Sequence, residues 1–243
     1  MGRLLCVRAA ARFDAEKAGQ PAGGITAGPQ VVRPWSDGEQ SMERDVGAEW
    51  QRLRRGDDVA RIPPVTRDDV PDVEKDAYDE FIKSRGSRPN VGPYSLLLHM
   101  PEMAQRLEAL RTYIRGEASV PQKLQELVMI TVAREMDCAF IWHAHAAAAR
   151  QAGVRDDIVD NIRDKKPLTN LDPDELTVVN FTRELLQNRK VSQTTFDAAI
   201  KRFGQRGMMT LTNLVACYAV LAYNMNTYEL EAPEHPTEKP LAV

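Results

Sequence analysis

The chain has 243 residues, 43% hydrophobic and 28% charged, with a net charge of −3. That length can bury one sizeable core, and a charge so near neutral gives no electrostatic reason to expect nucleic acid or an anionic membrane as a partner. Cys6, Cys138 and Cys217 are odd in number and far apart, which excludes a disulfide scaffold and suits a reducing, cytoplasmic location.

Residues 1–45 read as a flexible N-terminal tail. The opening Met-Gly-Arg-Leu-Leu-Cys-Val-Arg is too short and too often broken by Arg for a secretory signal. Gly19-Gln-Pro-Ala-Gly-Gly carries turn formers with no sustained period, and Met42 offers an alternative start. Residues 46–69 form an extended or short helical lead-in, with a polar helix over 43–55 and an extended stretch at Arg61-Ile-Pro-Pro, where each proline restricts the residue before it. A helical domain over 70–230 and a C-terminal tail over 231–243 follow.

Within that domain the periodicity predicts helices and no paired strands. The first runs over 73–83 and the second over 94–99. The third runs from Pro101 to Ile114, with Met103, Leu107 and Leu110 on its inner face. The fourth opens at Pro121 and ends near Met136. Asp137 is a suitable N-cap for the fifth, which stops at Gly153. Short helices over 156–165 and 194–203 and longer ones opening at Pro173 and at Met208 complete the set. No apolar run reaches the roughly eighteen residues of a membrane span, so no membrane partner is expected. The fold class is an all-α antiparallel bundle, in which the short turn Glu135-Met-Asp makes the fourth and fifth helices neighbours.

The chemistry concentrates between Glu126 and His145. Leu127 to Ala133 is apolar except for Thr131, so Glu126 enters a buried helix, where a carboxylate needs a partner. Cys138 and His145 share one face of the next helix, two turns or ~10 Å apart, with room between them for a small-molecule substrate. At a helix start, Cys138 has a lowered pKa and thiolate character; the plainer reading is a small buried hydrophobe. The plainer reading of Glu126 is a structural carboxylate paired with Arg134 or with an arginine of another subunit, and that of His145 a satisfied core histidine. His143 faces outward or toward a neighbouring subunit, and its spacing from His145 does not suit a helical metal site; no metal or cofactor is expected. Trp142, Tyr94 and His99 are the candidate pocket walls beside His143.

The spacing Glu126-(eleven residues)-Cys138-(six residues)-His145 resembles the carboxymuconolactone decarboxylase family, which includes the alkylhydroperoxidase D proteins. Gln-Glu-Leu at 125–127, Ala-Arg-Gln-Ala-Gly-Val at 149–154, and the run from Arg88 through Tyr94 and His99 to Met103 fit as well. The resemblance spans about Val70 to Tyr228 and implies the alkylhydroperoxidase D-like bundle with Glu126, Cys138 and His145 as catalytic residues. Its peroxidase members carry Cys-x-x-Cys, whereas Ile141 stands at the second position here, so no disulfide can form within the motif. Two activities are implied. One is a cofactor-free lyase acting on a small lactone acid, with His145 as proton donor. The other is a thiol peroxidase using Cys138 with an external resolving thiol. The small-residue run Ala144 to Ala149 and the apolar fourth helix predict a homotrimer or homohexamer that covers both, as the resemblance also implies.

Overall fold

The computed structural model describes residues 60–90, 92–230 and 238–241. The expected N-terminal tail, the alternative start and the polar helix over 43–55 lie outside them. Eight α-helices account for the architecture, with no strand among the described residues: α1 Lys75–Arg85, α2 Pro93–Leu97, α3 Pro101–Gly116, α4 Gln122–Glu135, α5 Ala139–Gln151, α6 Asp156–Arg163, α7 Pro173–Asn188 and α8 Gln193–Thr227.

The centre is α4, packed against α5, α6, α7 and α8. Every residue from Leu124 to Arg134 is buried. Leu127, Val128, Met129 and Ile130 are fully enclosed, each worth roughly 1.5–3 kcal/mol of burial. The polar residues in this run bury because each finds a partner. Gln125 donates to Val120 O at 2.9 Å and Thr131 to Leu127 O at 2.7 Å. Arg134 donates to Arg163 O at 2.9 Å and to Asp137. A single chain therefore covers α4 on its own, and the need for another subunit to do so disappears.

The tight turn and antiparallel neighbours α4 and α5 match expectation, but the cap does not. Asp137 adopts φ 48° and Cys138 is the N-cap of α5. Aspartate tolerates this left-handed conformation, and its carboxylate turns back to Arg134 instead of forward to the new helix. Gly153, at φ 95°, ends α5 just past its C-cap Ala152, as expected.

The inner face of α3 also differs. Met103 and Leu110 are exposed, while Ala104 and Ile114 are buried. At 100° per residue, Ala104, Glu108, Arg111 and Arg115 fall within one arc of about 60°. That arc points inward, which moves Met103 and Leu110 to the edge.

The two expected terminal helices form one run, α8, broken at Gly204 with φ 65° and ψ −177°. Part of α8 is long and apolar enough by composition to cross a membrane, where no such run was expected: Asn, Thr and Tyr dilute its hydropathy without charging it. Over half of that stretch is buried. The C-terminal tail is not wholly free, since Lys239 O accepts a bond from Trp142 Nε1 at 2.9 Å and Leu241 is buried. Gly204→Ala should cost about 1–2 kcal/mol, the penalty of a β-carbon in that backbone region; denaturant unfolding that leaves the stability unchanged would refute the break.

Candidate active site

Glu126 reaches its position because α4 is buried all round, and it stays there because two helices supply partners. Arg115 of α3 donates to Oε1 at 2.7 Å, and His145 Nδ1 of α5 lies 2.9 Å from Oε2. A carboxylate can only accept, so His145 presents Nδ1–H to Glu126 and leaves Nε2 as the free ring nitrogen. Tyr218 of α8 meets the imidazole edge to face, with centroids 5.2 Å apart, which fixes the ring from the other side. Among the described residues no hydrogen-bond partner reaches Nε2.

Beside the imidazole is a cavity of about 260 Å³ lined by His145, Tyr94, Arg85, Arg111, Ile141 and Tyr218, with apolar neighbours. Its charge is organised by one carboxylate. Glu108 accepts two bonds from Arg111, at 2.8 and 2.6 Å, and one from Tyr94, with Arg85 3.5 Å away. Burial opposes its ionisation, but the Arg111 and Tyr94 hydrogen bonds and the two guanidinium charges hold its carboxyl below the usual range. The guanidinium of Arg85 also lies over the Tyr94 ring, 4.9 Å from its centroid. Two arginines sharing one carboxylate leave the cavity electropositive, a seat for an anion. Tyr94 and Tyr218 both stay protonated. Burial, then Glu108, raises the pKa of Tyr94; burial raises that of Tyr218 against the pull of Arg115 and Arg111.

The structure brings together Glu126, His145 and Tyr94 of the expected residues and leaves the others apart. Cys138 is buried outside the cavity lining, and Ile141 occupies the wall. Trp142 is buried against the returning chain at Lys239. His99 bonds to Pro63 O at 3.1 Å. His143 buries an Nδ1 that has no hydrogen-bond partner among the described residues. The partner of Glu126 is Arg115, not Arg134. Glu108, Arg111, Arg115, Arg85 and Tyr218 escaped the sequence reading, though charges at 108, 111 and 115 were a signal: three ionic residues on one stripe of a helix whose apolar positions lie to the side. No cluster of three or more His, Cys, Asp or Glu side chains placed to hold a metal occurs among the described residues.

The N-cap position does not make Cys138 a thiolate. Burial pushes its pKa up and outweighs the opposing backbone N–H groups of Ile141 and Phe140. The neutral thiol favours the folded state, so this contribution is complete below the ordinary thiol pKa of about 8.5 and is lost as pH rises through that value toward the raised folded one. Iodoacetamide at pH 7 should modify Cys138 at least about tenfold more slowly in the folded protein than in the denatured chain. Equal rates by peptide mass mapping would contradict the burial.

Residues 101–184, which hold Glu126, Cys138 and His145, match the model of the Carboxymuconolactone decarboxylase family. No curated protein matches the chain. Among solved structures, the alkylhydroperoxidase AhpD core of an uncharacterised peroxidase-related protein from Ralstonia eutropha JMP134 is similar with a TM-score of 0.58 at 15% identity, over 74% of this chain and 95% of that one. An uncharacterised peroxidase-related protein from Silicibacter sp. TM1040 gives 0.56 at 13% identity, over 75% and 96%. At such identities the likeness speaks for the fold, which is alkylhydroperoxidase D-like. The sequence match over residues 101–184 takes in the helices that carry the Glu126–His145 pair, and it is that segment which is similar to the carboxymuconolactone decarboxylase family.

Proposed function

We propose that the protein is a cofactor-free enzyme transferring a proton to carbon on a small carboxylic acid, a carboxy-lyase of the decarboxylase type. The observation that supports this most is the pairing of a Glu126-oriented imidazole with an arginine-lined cavity whose lining includes neither Cys138 nor Cys217. An acid whose carboxylate is activated by an unsaturated carbonyl would sit with an oxygen toward Arg85 and Arg111. Its C–C bond to the carboxylate breaks, carbon dioxide leaves, and the electron pair passes into the carbonyl as an enolate. Protonated His145 returns one proton from Nε2 to carbon, so carboxylate plus proton becomes carbon dioxide plus the protonated product. Glu126 stabilises the imidazolium and holds the reactive nitrogen toward the cavity, while Arg115 prevents its carboxylate from turning away. The neutral hydroxyls of Tyr94 and Tyr218 keep the walls polar without adding negative charge.

A thiol peroxidase would instead need Cys138 to ionise and meet peroxide. Its burial argues against that, although both similar structures named above are described as peroxidase-related.

The assay is the release of carbon dioxide from unsaturated lactone acids, run beside hydroperoxide reduction with an external thiol. His145→Ala should abolish decarboxylation, Glu126→Gln should lower it by roughly 10²-fold, and Cys138→Ser should leave most of it. Loss of all activity in Cys138→Ser, with wild-type turnover of hydroperoxide only, would replace this reading with the peroxidase one. Arg111→Leu should raise KM for the acid at least about tenfold, the loss of one charge-assisted contact; an unchanged KM would remove the anion seat.

A further inference from the structure

In the run Leu214-Val-Ala-Cys-Tyr-Ala-Val-Leu221 of α8, Tyr218 supplies the one hydroxyl. A phenylalanine would fill the same volume and meet His145 edge to face equally well, so the oxygen calls for its own explanation. A buried phenol usually spends its proton on an acceptor. Tyr94 does so, donating to Glu108. Tyr218 is only 2% exposed, yet among the described residues no acceptor takes its proton. The nearby carboxylates are committed elsewhere, Glu126 to Arg115 and His145, and Glu108 to Arg111 and Tyr94. Burial raises the pKa of the phenol, and Arg115 and Arg111 only partly offset that. A guanidinium can donate but not accept, so neither arginine uses the proton. What Tyr218 does border is the chamber of about 260 Å³ that it shares with His145.

We propose that Tyr218 is a catalytic residue that donates a hydrogen bond to the carbonyl oxygen of the bound acid and holds that oxygen as the enolate forms. This assignment rests on the lyase reading above. When the bond to the leaving carboxylate breaks, its electron pair moves through the carbonyl onto oxygen and carbon dioxide departs. His145 then delivers the Nε2 proton to carbon, and the carbonyl is restored. Tyr218 keeps its own proton throughout. Its hydrogen bond strengthens as negative charge grows on the oxygen, so it favours the transition state over the bound ground state. The placement suits that role. The phenol ring stands at 78° to the imidazole, with centroids 5.2 Å apart, so donor and acid occupy adjoining walls of one chamber. In an enolate the charged oxygen and the carbon that takes the proton are two bonds apart, which adjoining groups can serve together. Arg85 and Arg111 attract the charge of the acid, whereas Tyr218 meets the oxygen on which new charge develops.

Tyr218→Phe deletes the oxygen and keeps the ring against His145, so its helical circular dichroism and thermal midpoint should match those of the wild type. Two readouts then test the donor. The first needs no turnover: 4-nitrophenolate, a flat anion that imitates an enolate, absorbs at shorter wavelength when its oxygen accepts a hydrogen bond. Wild type should bind it with that shift, and Tyr218→Phe should bind it at least about tenfold more weakly without the shift, the loss of one charge-assisted hydrogen bond. The second is carbon dioxide release, where Tyr218→Phe should lower kcat by roughly 10²-fold with KM nearly unchanged. Wild type that binds the probe with the shift but decarboxylates no lactone acid would sink the lyase reading while leaving the donor in place. Failure of the wild type to bind the probe, equal affinity and spectrum in Tyr218→Phe, or a Tyr218→Phe enzyme that loses only KM or nothing would each overturn the assignment.

Discussion

A carboxylate at the centre of the bundle governs the arrangement of everything near it. Glu126 is almost fully buried on α4, where an unpaired charge costs several kcal/mol. It is tolerable only because α3 delivers Arg115 and α5 delivers His145, one to each oxygen. Those contacts link three helices that the chain could otherwise pack by hydrophobic burial in more than one register. The interaction that makes the carboxylate affordable is also the one that aims an imidazole into a cavity.

The same economy explains the position of the thiol. Cys138 caps α5, and its amide bonds back to Ala133 O at 2.8 Å, tying the residue to the end of the core helix. One turn later Ile141 emerges at the cavity wall. A thiol at that second position would face the same chamber as His145 and the arginines, whereas at the first it faces packed side chains. With Ile141 at that wall, no cysteine is among the residues lining the cavity.

Much of this was legible in the sequence. The helices and the α4–α5 hairpin follow from apolar periodicity and from proline and glycine punctuation, and Glu126 and His145 stand out as a carboxylate and an imidazole set among hydrophobic residues, though not as direct partners. Three things were not. Cys138 reads as a first-turn residue by spacing, but Asp137 takes a left-handed conformation that only the closed turn reveals, and Cys138 becomes the buried N-cap, outside the lining of the cavity that His145 enters. Trp142 has the right spacing for a pocket wall, yet its indole is claimed by Lys239, nearly a hundred residues away. Arg115 looks like an ordinary surface residue until the inward arc of α3 is known.

That arc connects the interior to the outside. A helix has one face to give to the core, and α3 gives Ala104 together with the ions Glu108, Arg111 and Arg115, all of which serve the cavity or Glu126. Its larger apolar residues, Leu110 and Tyr113, are displaced to the surface as a direct result. They arrive beside Met209, at the start of the uncharged side of α8, and share a groove with it. Charge turned inward has thus been exchanged for apolar surface outside.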